Sequence, residues 1–500
     1  MNINVFEYLE RSAESYPNKI AFADKDKSVT FSELRESAYA IADEIHNRCG
    51  DIKNAPIGVY MYKGVDCLIA FMGIVCSGNF YSPIDRHSPA SRIEKIMETL
   101  APQAILYNDE PYPTGDYINI DISELKNSDK KVKYYEDNID SDPLYVLFTS
   151  GSTGQPKGVT ISHRGVIDYA EWLFDTFGFN SDTVFGNQAP FYFDNSILDI
   201  YPTLRNGSTT YIIPEKYFTF HNDLFEYLGS NKVNTIFWVP SALVSVANGD
   251  ILSRVKLDEL KNILFCGEVM PNKQLNAWRR AYPDAMFANL YGPTEITDVC
   301  TYYIIDREFA DDEPLPIGFA CRNTDIIVLN DKDEKVTAPG DKGELCVRGT
   351  CLSMGYFKDY DKTDKAFVQN PLNKFFYEKI YRTGDIVEYN EHGELMYLSR
   401  KDFQIKHQGH RIELGEIDTA GGSIEGINTC CALYDDVNKQ IVFFYVSDTD
   451  ITDKAVYKEL KGKVPNYMLP SKINRLDKMP LNVNGKIDRV YLNGIIKGQE

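Results

Sequence analysis

Short apolar runs that recur between amphipathic stretches constrain the fold of this chain more than any other feature. Ile57-Gly58-Val59-Tyr60-Met61-Tyr62, Ala104-Ile105-Leu106-Tyr107 and Thr235-Ile236-Phe237-Trp238-Val239 read as strands, and Glu33 to Arg48 reads as a helix. Strand-like and helical segments in alternation predict an α/β fold with largely parallel sheets packed by helices. No internal repeat and no low-complexity segment interrupts the pattern, which excludes solenoids and arrays. At 500 residues, 43% hydrophobic and 25% charged, the chain is too long for one ordinary core, so two or more domains are expected.

The boundary falls near Ser399-Arg400-Lys401-Asp402-Phe403-Gln404. Beyond it lies a segment with its own strand, Gln440 to Val446, and its own helix, Asp453 to Lys463. The reading is a large N-terminal domain over 1–400 and a small α+β domain over 401–500. Two polar, acidic tracts, Asn127 to Asp142 and Asp306 to Glu313, read as surface connections.

Fifty-three basic against 73 acidic residues leave a formal charge of −20, which argues against nucleic acid and against anionic membranes as partners. Ten cysteines occur without a CxxC pair, and Cys430 and Cys431 are adjacent, so neither a zinc ribbon nor a secreted disulfide framework is indicated. The start, Met1-Asn2-Ile3-Asn4-Val5-Phe6-Glu7, lacks the basic and apolar regions of a secretory signal. The most apolar run, Cys67 to Cys76, is much shorter than the ~20 residues that cross a bilayer and reads as a buried helix. A cytoplasmic protein without membrane insertion is the expectation.

One loop carries more chemistry than any other. Leu144-Tyr145-Val146-Leu147-Phe148 reads as a strand that delivers the chain into Thr149-Ser150-Gly151-Ser152-Thr153-Gly154-Gln155-Pro156-Lys157-Gly158. Glycines let backbone N–H groups approach an anion, Ser150, Ser152 and Thr153 add hydroxyl donors, and Lys157 adds a point charge. Such a set suits a polyphosphate. It differs from the G-x-x-x-x-G-K-[ST] motif because Gly158 follows Lys157, so the helix and magnesium geometry of that class do not carry over.

The string Phe148 to Val159 resembles the signature of the acyl-adenylate-forming superfamily, which includes acyl-CoA synthetases, luciferases, peptide-synthetase adenylation domains and D-alanine–carrier-protein ligases. Further motifs follow in the family's order and extend the resemblance over essentially the whole chain. Asn289-Leu290-Tyr291-Gly292-Pro293-Thr294-Glu295 resembles the second nucleotide motif, in which Asn289 and Tyr291 would contact adenine, Thr294 phosphate, and Glu295 magnesium. The residue types agree with those roles: Gly292-Pro293 forces a turn, Tyr291 offers a flat face, and Glu295 supplies the hard oxygen that magnesium prefers.

In Tyr381-Arg382-Thr383-Gly384-Asp385, the family's aspartate accepts from both ribose hydroxyls, as a carboxylate with two acceptor oxygens can. Tyr397 and Arg400 fall at the family's ribose-contacting segment, although Ser399 stands where a glycine is usual. Asp402 matches the hinge about which the small domain is expected to rotate, and Gly409 the loop that enters the active site afterwards. Asn484-Gly485-Lys486-Ile487-Asp488-Arg489 resembles the terminal motif whose lysine bridges the substrate carboxylate and the α-phosphate. A cation has a clear task there, because carboxylate attack on phosphate brings two anions together.

Asp194, in Gln188-Ala189-Pro190-Phe191-Tyr192-Phe193-Asp194, matches the aspartate that amino-acid-activating members hold against the α-ammonium group, a charge-assisted pairing that amine-free acids cannot offer. Leu264-Phe265-Cys266-Gly267-Glu268 is especially similar to D-alanine–carrier-protein ligases, with Cys266 bordering the side chain and Gly267-Glu268 the nucleotide. Asn195 and Asp298 are more polar than that pattern. A carboxylate is costly beside a methyl group and suits a hydroxyl or ammonium group, so D-alanine, serine-like and lysine/ornithine-like substrates all stay open, with Leu290 as a further pocket residue.

The implied activity uses ATP and Mg2+ to convert an amino acid into its aminoacyl adenylate. A phosphopantetheinylated acyl or peptidyl carrier protein then takes the acyl group in trans, since no carrier motif follows Arg489 and Gly421-Gly422-Ser423 lacks the required apolar lead-in. The alternatives are an acyl-CoA or aryl-CoA synthetase and a catalytically silent adenylate-binding protein.

Overall fold

The computed structural model describes residues 2–125, 132–151, 154–401, 404–481 and 487–498. The chain divides into two compact units: residues 1–84, 100–147 and 158–401 form the first, and 85–99, 148–157 and 402–500 the second. The second thus includes two segments from the N-terminal part of the sequence, one of which is the Gly/Ser/Thr loop.

In the first unit the apolar runs become parallel strands. A nine-stranded sheet runs Phe319–Ala320, Thr301–Ile304, Met286–Tyr291, Asn262–Phe265, Thr235–Trp238, Val184–Asn187, Thr209–Ile212, Ile20–Ala23, Ser28–Thr30. Its interior pairs are parallel, and only the strands at its two edges turn antiparallel. Burial of the central strands on both faces explains why their sequences are continuously apolar: all four residues of Thr235–Trp238 are buried. Trp238 closes the packing by donating its indole N–H to the Gly186 carbonyl at 2.9 Å.

A seven-stranded sheet has its parallel centre at Phe80–Pro83, Pro56–Val59 and Ala104–Tyr107. The expected buried helix forms as Val65–Cys76, with all but Asp66 buried. It packs on Phe31–Cys49, whose start is fixed by a capping box between Thr30 and Glu33. At Gly73 a Cβ would stand 2.4 Å from the Ile41 side chain, so the two helices meet where that glycine removes the obstacle.

The third sheet of the first unit departs from the parallel expectation. Thr324–Leu329, Lys342–Gly349, Lys379–Tyr389, Phe367–Gln369 and Leu395–Arg400 pair antiparallel throughout. Lys379–Tyr389 alternates buried and half-buried residues over most of its length, as a strand with one solvated face does, so it carries no continuous apolar run.

The second unit contains the ribbon Gln404–His407 with His410–Glu413 and a three-stranded sheet of Ile427–Asp435, Gln440–Ser447 and Lys472–Arg475. Helices Leu414–Gly422 and Asp453–Lys461 bury Ile417, Val456 and Leu460 with Phe443 and Tyr445 in a core of its own. Among the described residues no helix is long and apolar enough to cross a membrane.

Candidate active site

In the first unit, the predicted nucleotide and substrate residues collect at the carboxyl ends of adjacent parallel strands, where open α/β sheets bind ligands. Asn262–Phe265 delivers Cys266, Gly267 and Glu268, while its neighbour Met286–Tyr291 delivers Asn289, Leu290 and Tyr291, with Phe265 and Asn289 in register. Gly267 adopts φ +104, a backbone region that favours glycine. Glu268 accepts from the Ser241 N–H at 2.9 Å, and Asn289 donates to the Pro316 carbonyl at 2.8 Å.

Asp385 is the most completely determined member. It is buried, its Oδ2 accepts from the Tyr291 hydroxyl, and its Oδ1 accepts from Arg400 at 2.9 Å. Asp385 and Arg400 sit opposite each other on antiparallel strands. Tyr397 follows the same strand to a ring distance of 6.4 Å from Tyr291. Burial first, and the Asp385 charge second, push the Tyr291 phenol well above its ordinary range, so it stays a donor. Residues nearly a hundred positions apart thus form one polar chain, Tyr291–Asp385–Arg400.

Beyond Gly292-Pro293 the chain makes a short 3-10 turn, Thr294–Ile296, that buries Thr294 and Glu295. Glu295 accepts from the Tyr356 hydroxyl at 2.8 Å. Thr297 and Asp298 then take successive left-handed conformations, φ +60 and +71. This reversal folds the loop back so tightly that a Cβ on Gly292 would lie 2.2 Å from the Asp298 carbonyl oxygen.

The carboxylate of Asp298 is buried and accepts from the Tyr169 hydroxyl at 2.6 Å. Asp194 opens the 3-10 turn Asp194–Ser196, is half-buried, and accepts from the Asn195 N–H at 3.1 Å. Both carboxylates act on one buried phenol, Tyr145, which burial, Tyr81 and these two charges hold well above its ordinary range. Tyr169 is raised mainly by burial, then by Asp298, with Cys266 contributing. Asn195 points its amide nitrogen to within 3.8 Å of where a Cβ on Gly267 would be. Asp194, Asn195, Cys266 and Asp298 therefore share one neighbourhood, and Leu290 lies on the strand that leads into the Asp298 turn.

Sequence reasoning missed Tyr169 and Tyr356. Tyr169 lies within helix His163–Phe177 and Tyr356 on the short strand Gly355–Tyr356, and neither belongs to a motif. Only the fold brings each hydroxyl to its carboxylate.

In the second unit, the loop 148–157 is built as its glycines require. Gly154 has φ +73 and donates its N–H to the Gly151 carbonyl at 2.9 Å, and a Cβ on Gly151 would collide with the Gln155 carbonyl at 2.0 Å. The Thr149 hydroxyl reaches the Lys157 carbonyl at 3.5 Å across the loop mouth. Ser150 is buried, donates to the Arg411 carbonyl at 2.8 Å and accepts from the Glu413 N–H at 3.2 Å. Lys157 lies 3.6 Å from the Glu413 carboxylate. Ser152, Thr153, Asp402 and Lys486 lie outside the described residues.

The chain matches the model of the AMP-binding enzyme family over residues 9–357. It is 32% identical to a D-alanine–D-alanyl carrier protein ligase of Bacillus cytotoxicus over 98% of this chain and 99% of that protein, and equally so to a ligase of the same name from Bacillus cereus. Among solved structures, a nonribosomal peptide synthetase protein with adenylation and PCP domains has a TM-score of 0.87 at 23% identity, covering 98% of this chain and 84% of that one. The Vibrio cholerae adenylation domain AlmE, in complex with glycyl-adenosine-5'-phosphate, has a TM-score of 0.85 at 21% identity, covering 100% and 98%.

Proposed function

The chain belongs to the AMP-binding enzyme family, and from that premise we propose that it is an ATP-dependent ligase that activates an amino acid as its adenylate and passes the acyl group to a separate carrier protein. The observation that carries the reading is the buried chain Tyr291–Asp385–Arg400. Each partner fixes one Asp385 oxygen while leaving that oxygen further acceptor capacity for a ribose hydroxyl.

In the first half-reaction an oxygen of the substrate carboxylate bonds to the α-phosphorus of ATP. The bond from that phosphorus to the bridging oxygen breaks, and pyrophosphate leaves with the electron pair. Asp194 anchors the α-ammonium group, Thr294 and the loop Thr149 to Lys157 donate to phosphate oxygens, and Lys486 is the cation for the approaching anions. In the second, the phosphopantetheine thiol of the carrier loses its proton to solvent and its sulfur bonds to the acyl carbon, the bond from that carbon to the phosphate oxygen breaks, and AMP leaves with the electron pair. The reading keeps Asp402 as the hinge between the two stages.

Glu295 fits magnesium, a hard ion commonly held by one or two carboxylates with substrate phosphates completing its shell. The carboxylate is fully buried, with Tyr356 fixing one oxygen. No group of three or more His, Cys, Asp or Glu residues able to hold a metal occurs among the described residues, so the ion would rely on phosphate oxygens. When bound, it would neutralise phosphate charge.

Amino acids are favoured over amine-free acids by Asp194, and Asp298 is the residue that sets the side chain. A hydroxyl or ammonium group gives this buried carboxylate a second donor beside Tyr169, whereas a methyl group gives it none. The ten cysteines are free thiols, which suits a cytoplasmic enzyme.

Pyrophosphate exchange across D- and L-alanine, serine, lysine and ornithine tests both statements. Exchange with at least one amino acid is expected, and Asp298→Val should shift preference toward alanine by about tenfold or more, the scale of a lost charge-assisted hydrogen bond. Silence with every amino acid, alongside thioester formation from coenzyme A and amine-free acids, would replace the reading with an acyl-CoA synthetase. An unchanged preference in Asp298→Val would remove that residue from specificity.

A further inference from the structure

Two donors of the phosphate loop, Lys157 and Ser150, are engaged by groups of the same unit. Lys157 faces Glu413 at 3.6 Å, with both side chains largely buried. Glu416 is paired with Arg92 deep inside the unit, and the Gly151 N–H lowers its pKa against the effect of burial. Ser150 is tied to the backbone of the same segment through the Arg411 carbonyl and the Glu413 N–H. Lys95 caps the far side of the loop by donating to the Gly154 carbonyl at 2.9 Å. An ammonium and a hydroxyl are two of the donor types a polyphosphate needs, and both meet groups from residues 411–413.

Local structure explains why two glutamates arrive together. Glu413 ends the strand His410–Glu413 and is the N-cap residue of helix Leu414–Gly422, while Glu416 lies in that helix's first turn. A helix start favours negative charge, and three residues of spacing place both side chains on the same side of it. Gln404 fixes the inner carboxylate by donating to Glu413 at 2.6 Å. Burial raises Glu416, and Arg92 and the Gly151 N–H oppose that rise.

We propose that Glu413 is a positioning residue that stands in for a phosphate group on the loop, so that triphosphate or pyrophosphate binds only by displacing it. The Ser150 hydroxyl cannot give its one proton to both the Arg411 carbonyl and a phosphate oxygen, and Lys157 paired to Glu413 is partly neutralised toward a second anion. The arrangement therefore suits the stage after pyrophosphate has left, and it disfavours the return of pyrophosphate to the adenylate. The inference rests on the reading of residues 149–157 as the phosphate site, and it adds that the enzyme carries its own competitor for that site.

Glu413→Gln is the direct probe, because the amide oxygen still accepts from Gln404 while the charge facing Lys157 is gone. Calorimetric binding of magnesium pyrophosphate to the full chain should tighten by about five- to twentyfold, the scale of one partly buried charge pair. The KM for ATP in pyrophosphate exchange should fall by a similar factor, with kcat changed less than twofold. A merely structural glutamate would alter melting and kcat without tightening pyrophosphate. Unchanged or weaker pyrophosphate binding in Glu413→Gln, at wild-type melting temperature, overturns the inference.

Lys157→Ala separates the two levels of the argument. If it weakens pyrophosphate at least tenfold while Glu413→Gln has no effect, the phosphate site stands and the competitor falls. If Lys157→Ala binds as the wild type does, both fall.

Discussion

At the scale of single residues, the first unit depends on carboxylates whose charge is held by specific donors. Asp385 shows the principle: it is nearly fully buried, a position costly for a lone anion, and Arg400 and Tyr291 both donate to it. Removing one donor leaves the carboxylate in place but free to rotate. Tyr291→Phe keeps the ring that faces Tyr397 and removes only the hydroxyl. Its KM for ATP should rise about five- to twentyfold, as expected for a hydrogen bond to a charged group. The KM for the amino acid should move less than twofold. Equal increases in both would place Tyr291 in general folding rather than in ribose orientation.

At the scale of elements, position is set by how parallel strands end. The turn after Met286–Tyr291 must reverse within a few residues, and it does so through Gly292 and the left-handed pair Thr297 and Asp298. Gly292→Ala would drive a methyl group into the Asp298 carbonyl at 2.2 Å, against backbone that cannot step aside cheaply. The loop carrying Thr294 and Glu295 should shift with it. Adenylation is expected to drop at least a hundredfold, with a loss of stability of about 1–3 kcal/mol, the scale of overpacking in a tight site. Pyrophosphate exchange and urea denaturation measure the two effects. Near-wild-type exchange in that variant would mean that the turn does not set the catalytic geometry.

The same elements show what local sequence could reveal. Parallel strands such as Thr235–Trp238 and Asn262–Phe265 are buried on both faces, so each announces itself as an apolar run. Asp385 and Arg400 were legible as motif residues, but their pairing was not, because it follows from the register of an antiparallel sheet whose long strand is solvated on one face. Tyr169 and Tyr356 lie 129 and 61 positions from the carboxylates they serve. No window of sequence contains such a pair. The grouping of residues 148–157 with 402–500 was likewise invisible, since it depends on contacts between segments far apart in the chain.

At the scale of the whole molecule, each unit holds a histidine that its surroundings keep neutral, fully buried in the first and half-buried in the second. In the first unit, His163 begins helix His163–Phe177 and accepts from the Val5 N–H on Nδ1 at 3.3 Å; burial lowers its pKa to about 4. In the second, His410 stacks on Tyr467 at 3.7 Å, and burial, with His407 adding to it, lowers its pKa to about 3. An unfolded histidine takes its proton near pH ~6.5, whereas these two resist until pH is far lower. Between those values the unfolded chain binds more protons, so stability falls as pH falls. The full contribution is present above about pH 6.5. Each histidine then costs about 1.4 kcal/mol per pH unit on the way down, until its folded-state pKa is reached. Asp199, whose carboxyl burial raises to about 7, takes its proton first in the folded protein over the same range and offsets about one histidine, so denaturation of the full chain at pH 7.5, 6.0 and 5.0 should show a net slope of about one histidine. His163→Gln, whose amide oxygen can accept from Val5, should lower the slope between pH 6.0 and 5.0 by about 1.4 kcal/mol per pH unit, one histidine's share. A variant with an unaltered slope would show that His163 is charged in the folded protein, and that its burial does not hold the imidazole neutral.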